Sequence, residues 1–191
     1  MPDQILEKFE QAGAYLLGHF LLTSGRHSDV YFEKFMLLQH PVILGELLAR
    51  LALPLRDQKI ATVVGPTLGG AVIAFELARQ LGIRAVYAEA DDDKRILRRG
   101  LSLAAGERVV ICDDILTTGR SVREVIAMAE EYAAEIVAIV LFLDRSGGET
   151  TFDYPLQTLA SVKANAWLPE ECPLCGDGVP ITKRGSRKSV G

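Results

Sequence analysis

"VVICDDILTTGRSV", residues 109–122, decides the fold. Four apolar residues run into the adjacent Asp113 and Asp114, and then come Ile115, Leu116, Thr117, Thr118, Gly119, Arg120 and Ser121. An unbroken apolar run reads as a strand buried on both faces, the pattern of a parallel sheet covered by helices. In such a sheet ligands bind outside the carboxyl ends of the strands, and the two carboxylates sit at one. The segment then leads straight into "RSVREVIAMAEEYAA", which has helical spacing. A helix N-terminus offers unpaired N–H groups and the positive end of a dipole, which together bind phosphate. Thr117, Thr118 and Ser121 add hydroxyl donors, and Gly119 lets the backbone come close. The carboxylates suit a partner rich in hydroxyls, and a phosphorylated ribose carries both groups. An isolated Asp-Asp would read as a turn cap. The apolar run before it and T-T-G-x-S after it set this one apart.

Outward from that stretch, strands and helices alternate. "ATVVGPTLGGAVIAFELARQLG" predicts strand, glycine-bearing turn and helix, stopped by Gly82. "IRAVYAEA" and "EIVAIVLFLD" predict strands, and "LQTLASVKA" a weaker one. A helix is expected over residues 3–13 and another from Pro41, since proline suits the first helical turn. "LLTSGRHSDVYFEKF", residues 21–35, reads as a loop entering a short strand, and "DDDKRILRRG" as a charged stretch without periodicity. The alternation implies an α/β fold, a doubly wound and mostly parallel sheet of about five strands. The final "KRGSRKSVG" is expected to fray.

Composition bounds the function. Hydrophobic residues make up 49% of 191, enough for one sizeable core. A net charge of -4 argues against nucleic acid as a partner. No apolar run has the length of a membrane span, and the start lacks the basic and apolar regions of a secretory signal. Three cysteines do not make a disulfide framework. Together these point to the cytoplasm. Cys172 and Cys175 form a C-x-x-C, half of a zinc site, but Cys112 and the histidines His19, His27 and His40 lie far from it in sequence and show no metal spacing. The pair reads as structural or redox-inert.

"VVICDDILTTGRS" resembles the phosphoribosyl pyrophosphate (PRPP) motif of type I phosphoribosyltransferases. The resemblance implies that Asp113 and Asp114 contact the ribose hydroxyls and that the loop from Ile115 through Leu116, Thr117, Thr118, Gly119 and Arg120 to Ser121 holds the 5-phosphate. Other stretches choose the base. "GHFLLTSGRHSDVYFEKF", residues 18–35, resembles the orotate phosphoribosyltransferase signature F-x-L-x-S-G-x-x-S-x-x-Y/F-F. "DRSGG", residues 144–148, resembles the segment whose arginine reads the orotate carboxylate. "GPTLGGAVIAFELARQLG", "LRRG" and the tail "CPLCGDGVPITKRGSRK" resemble a short bacterial and archaeal subgroup, so the likeness runs from Gly18 to Arg187.

The resemblance implies a single phosphoribosyltransferase domain over 1–191, with a core of about 41–163 and a small hood from about 1–40 and 164–185. It implies orotate contacts from Ser24, Arg26, Tyr31, Phe32, Thr117 and Arg145. A planar guanidinium recognises a carboxylate bidentately, which suits Arg145. Magnesium is the expected cofactor, carried with PRPP and in reach of Asp113 or Asp114. Lys94 is the expected catalytic cation, on a loop over 89–99 that the two subunits of a homodimer share. Longer members of the family carry cationic residues at positions that here are Thr23, Gly69, Ala90 and Ile96, and Arg95, Arg98 or Arg99 are candidates to replace them. Two rivals stand beside this reading: a purine-type phosphoribosyltransferase, and a PRPP-sensing regulator without catalysis.

Overall fold

The structure, a computed structural model, describes residues 2–184. In chain order it contains α1 (Pro2–Gln11), β1 (Tyr15–Leu21), β2 (His27–Phe32), α2 (Lys34–Leu38), α3 (Pro41–Ala52), β3 (Thr62–Pro66) and α4 (Gly69–Leu81). There follow β4 (Arg84–Asp91), β5 (Lys94–Ile96), β6 (Arg108–Leu116), α5 (Arg120–Glu131), β7 (Glu135–Asp144), β8 (Leu156–Ser161), α6 (Pro173–Gly176) and β9 (Thr182–Lys183). No helix among the described residues is long and apolar enough to cross a membrane.

The main sheet has six strands in the order β5-β4-β3-β6-β7-β8. Five are parallel, as the alternation predicts, and β5 adds an antiparallel edge to β4. The sequence hides β5 because "DDDKRI" carries charge where a strand usually alternates. Side-chain alternation along the central strands fills both faces. Val110, Cys112, Ala138, Val140 and Phe142 pack under α1, α3 and α4, while Val109, Ile111, Ile139 and Leu141 pack under α5. Each such side chain taken fully out of water contributes about 1.5–3 kcal/mol. α4 ends where Gly82 takes a left-handed conformation at φ 70°, the role expected of it.

A second sheet, in the order β2-β1-β9, joins the N-terminal hairpin to the C-terminal segment. The sequence reading missed β1, whose Tyr15, Leu16 and Leu17 continue the apolar character of the preceding helix. α1 falls within the expected hood range, yet Ile5 and Phe9 are buried in the main core, where Phe9 meets Phe142 edge-on at 6.3 Å. Of the tail expected to fray, Lys183 pairs in β9 and the residues from 185 on lie outside the described ones.

The structure also corrects the reading of the cysteines and histidines. The β1–β2 hairpin carries His19 and His27 to Cys172 and Cys175, about 150 residues away in sequence. Sequence distance says nothing about proximity once a hairpin and a C-terminal turn share one small sheet.

The sheet changes direction of growth between β3 and β6, and the crevice there is the natural ligand site. α4 follows β3 through a turn that leaves no space. A Cβ on Gly65 would lie 2.5 Å from the Gly70 carbonyl carbon and closer still to its oxygen, and one on Gly70 would lie 2.5 Å from the Pro66 ring. Gly65→Ala therefore has no side chain to displace, only backbone. It should cost about 1–3 kcal/mol and lower Tm by roughly 3–12 °C. Thermal unfolding followed by circular dichroism checks this, and an unchanged Tm would mean that the turn is looser than the structure has it.

Candidate functional site

Asp113 and Asp114 stand at the carboxyl edge of β6, both buried. The pair is held locally. Ser121 donates its hydroxyl to Asp113 Oδ2 at 2.6 Å, the Asp114 N–H donates to Asp113 Oδ1 at 2.9 Å, and the Ile115 N–H donates to Asp114 Oδ1 at 2.8 Å. The Lys34 ammonium, arriving from the first residue of α2, pairs with Asp114 Oδ2 at 2.8 Å. Burial and the neighbouring Asp114 charge push the Asp113 carboxyl up to about 6, against the Ser121 hydroxyl, the backbone N–H and Lys34, which pull the other way. Burial pulls the Lys34 ammonium down, but Asp114, with Asp113 and Glu33, outweighs it and the net direction is up.

A cleft of about 660 Å³ opens beside this pair. Its walls bring together Ser24, Tyr31 and Phe32 from the hairpin, Arg145 from the end of β7, and Ile115, Thr117, Thr118 and Ser121 from the loop into α5. Two cations that sequence reasoning missed also line it: Lys34 and Arg184. Lys34 lies two residues past the Tyr31-Phe32 pair, at the start of α2, and its nearness in sequence to that pair was the available signal. Arg184 sits just past β9, in the tail where no periodicity pointed to a role.

A smaller cavity of about 370 Å³ shares Arg95, Ile115, Thr117, Thr118 and Ser121 and adds Leu116, Gly119, Arg120 and Glu124. Gly119 precedes α5 at φ 74°, and a Cβ there would lie 2.9 Å from Thr150 and 3.0 Å from Phe152. Both conformation and space therefore demand glycine. The N-terminus of α5 has no side-chain cap, so its N–H groups face the loop free for an anion. The Leu116 side chain is buried in the core, which leaves only its backbone to the site.

Arg145 is held by its surroundings. Its N–H donates to the Leu116 carbonyl at 2.8 Å, while Asp144 accepts from the Ser146 N–H and hydroxyl, both at 2.7 Å, to shape the turn. The guanidinium lies 5.3 Å from the Phe32 ring centre. Burial lowers its pKa, partly offset by Tyr31. Its Nε is buried and has no hydrogen-bond partner among the described residues. Burial and the Glu33 charge raise the Tyr31 phenol, against Arg184, Arg145 and Lys34.

Two expected residues lie elsewhere. Arg26 is exposed and donates to the Ala166 carbonyl at 3.0 Å, away from the cleft walls. Lys94, the first residue of β5, is exposed and lines neither cavity. Alternation along the strand turns its neighbour Arg95 inward instead, where it pairs with Glu124 at 3.1 Å and lines both cavities. Arg98 and Arg99 pair with Asp91 and Glu89 on the same hairpin.

Residues 36–172 match the phosphoribosyl transferase domain family. The chain is 45% identical to the orotate phosphoribosyltransferase of Caldicellulosiruptor bescii over 186 residues, 97% of this chain and 98% of that one. It belongs to the orotate phosphoribosyltransferase family. The enzyme of the same name from Heliobacterium modesticaldum is 43% identical over 187 residues, covering 97% and 98% of the two chains. The crystal structure of orotate phosphoribosyltransferase from Aeropyrum pernix superposes with a TM-score of 0.70 at 25% identity, over 83% of this chain and 94% of that one. The chain thus has the α/β type I phosphoribosyltransferase fold.

The raised Asp113 carboxyl makes a pH prediction. Between 3.8, the ordinary value, and about 6 the native protein holds a proton that the unfolded chain has released. Stability therefore falls as pH rises through that window, by on the order of 3 kcal/mol at most. Asp113→Asn cannot ionise, so its stability relative to the wild type should improve by about 1–3 kcal/mol between about pH 4 and about pH 7.5. Urea unfolding of both proteins at the two pH values measures the difference, and a constant offset would contradict the buried-acid assignment.

Proposed function

We propose that the chain transfers the 5-phosphoribosyl group of PRPP to orotate, giving orotidine 5'-phosphate and pyrophosphate for pyrimidine biosynthesis. The observation that carries this reading is Arg145, a half-buried guanidinium with a buried, unpartnered Nε in the same cleft as the aspartate pair. A carboxylate on a planar base gives it a charge-assisted bidentate partner; a purine offers neutral acceptors but no carboxylate. The relatives named above support the same choice of base.

The roles follow from position. The loop from Thr117 to Ser121 and the uncapped end of α5 hold the 5-phosphate. Asp113 and Asp114 accept from the ribose hydroxyls. Orotate lies between Tyr31, Phe32 and Ser24 with its carboxylate on Arg145. The C1–O bond to pyrophosphate breaks as the ring nitrogen bonds to C1, and charge builds on the leaving group. Arg95 and Lys34, which line the cleft, are the cations we assign to that charge. A Cβ at Gly69 would lie 2.5 Å from Asp114 Oδ2, so a side chain there would have to displace the carboxylate that Lys34 holds from α2.

Magnesium suits the donor set. Asp113 and Asp114 present hard carboxylate oxygens to the cleft, but Ser121, two backbone N–H groups and Lys34 already occupy much of their capacity. The ion would therefore be held mainly by PRPP's own oxygens with one of these carboxylates beside it. When bound it neutralises charge on the departing pyrophosphate. A cytoplasmic setting belongs to the same reading, since all three cysteines are free thiols.

Pyrophosphate release with PRPP, Mg2+ and a panel of orotate, uracil, adenine and hypoxanthine tests the base. Orotate alone should turn over. Arg145→Ala should raise the orotate KM by the equivalent of about 2–5 kcal/mol and leave PRPP affinity nearly unchanged. Equal use of orotate and uracil by the wild type would sink the carboxylate-reading role.

The same reading makes the enzyme a homodimer in which the 89–99 hairpin serves the neighbouring subunit through Lys94. What supports it is the outward Lys94 beside an inward Arg95. Lys94→Ala should then lower kcat far more than it raises KM. Mixing Lys94→Ala chains with Asp113→Asn, Asp114→Asn chains should restore about a quarter of wild-type activity, because half the dimers are hybrids with one good site of two. No recovery, with hybrids confirmed by native mass spectrometry, would return Lys94 to its own subunit or to no role.

A further inference from the structure

Away from the cleft, four side chains with metal-binding atoms converge. His19, His27, Cys172 and Cys175 each offer one ligand atom, and all four atoms lie within 4.8 Å of one another. His19 Nε2 is 3.0 Å from His27 Nδ1, 3.5 Å from Cys172 Sγ and 3.7 Å from Cys175 Sγ, and Cys175 Sγ is 3.2 Å from His27 Nδ1. A tetrahedral zinc with ordinary Zn–N and Zn–S bonds separates its ligand atoms by about 3.3–3.8 Å. The four separations of 3.0–3.7 Å overlap that range, and the remaining two do not exceed 4.8 Å.

The surroundings agree. His19 Nδ1 lies 2.8 Å from the Val179 carbonyl. Its proton belongs there, which leaves Nε2 as a lone pair aimed into the cluster, the outer hydrogen bond expected of a metal-bound histidine. The turn Cys172-Pro173-Leu174-Cys175-Gly176 closes through Cys175 and Gly176 N–H groups donating to the Cys172 carbonyl at 3.2 and 3.3 Å, which puts both sulfurs on one side. His19, His27 and Cys172 are buried and Cys175 is exposed, so the cluster is enclosed but has an entry.

We propose that His19, His27, Cys172 and Cys175 form a structural zinc site that staples the C-terminal segment to the β1–β2 hairpin. Binding releases the two thiol protons to water and keeps both imidazoles neutral. Two thiolates then balance the charge of Zn2+, so nothing net is buried. The fold has a use for the staple. β9 contributes only Thr182 and Lys183 to its sheet, and this sheet carries Tyr31, Phe32 and Arg184 into the cleft. A two-residue strand holds little by itself, whereas a metal cross-link orders both segments.

The test is metal analysis of the full-length protein purified without chelators. About one zinc per chain is expected, and the same protein reloaded with Co2+ should show the intense visible bands of a tetrahedral ion and thiolate-to-cobalt charge transfer. The double variant Cys172→Ser, Cys175→Ser should lose the metal. Zinc removal by chelator should lower the wild-type Tm by about 5–15 °C and raise the orotate KM, both recovered on adding Zn2+. If that variant fails to fold, the wild-type zinc content and cobalt spectrum decide. Wild-type protein with all thiols reduced that contains no zinc and takes up neither Zn2+ nor Co2+ would overturn the site, as would iron in its place.

Discussion

Two carboxylates buried side by side at the end of β6 are the constraint around which the rest of the molecule is arranged. Adjacent buried anions are costly, and every nearby feature offsets part of that cost. Ser121 closes onto Asp113 only because Gly119 takes a left-handed turn and starts α5 at the right place. Lys34 reaches Asp114 only because α2 begins directly after β2. Gly69 has no side chain because Asp114 occupies the space one would fill. A site that tolerates such a pair is built for ligand chemistry, and stability is given up for it.

The second organising feature is the chain of charges across the edge hairpin. Asp93 pairs with Arg120 at 3.0 Å, Arg120 with Glu124 at 2.7 Å, and Glu124 with Arg95 at 3.1 Å. These contacts tie the tip of the β4–β5 hairpin to the first turn of α5, where the phosphate loop ends. The Arg120–Asp93 pair is exposed and adds little to stability, while Arg95 and Glu124 are largely covered. The network's effect is geometric: Arg95 is held inward toward the cleft and Lys94 is left outward.

The small sheet has the opposite problem. It positions Tyr31, Phe32 and Arg184 with few hydrogen bonds and little core of its own. Phe32 solves part of this by packing inward on Phe9 and Tyr15 while one side meets Arg145. The histidine and cysteine cluster sits at the other end of the same sheet, where a cross-link does the most to hold it.

Local sequence determined the strands β3, β4, β6 and β7, their parallel order of use, and the acidic pair with its glycine-bearing loop. Each of these depends on residues next to one another: an apolar run for burial, a glycine for a turn, hydroxyls at a helix start. Arg145 was reached through the resemblance of residues 144–148 to a family segment, and the structure puts it in the wall of the cleft. What the tertiary structure decided depends on residues far apart. Lys34 became a site cation because the start of α2 lies beside Asp114 of β6, and Arg184 because β9 pairs with β1. Lys94 and Arg95 exchanged places relative to the cleft because β5 is a strand, and a strand sends neighbours to opposite sides. His19 and His27 met Cys172 and Cys175 only through a hairpin folded against a C-terminal turn. Sequence reports what a residue can do; the meeting of separate segments, governed by packing of the whole chain, decides what it faces.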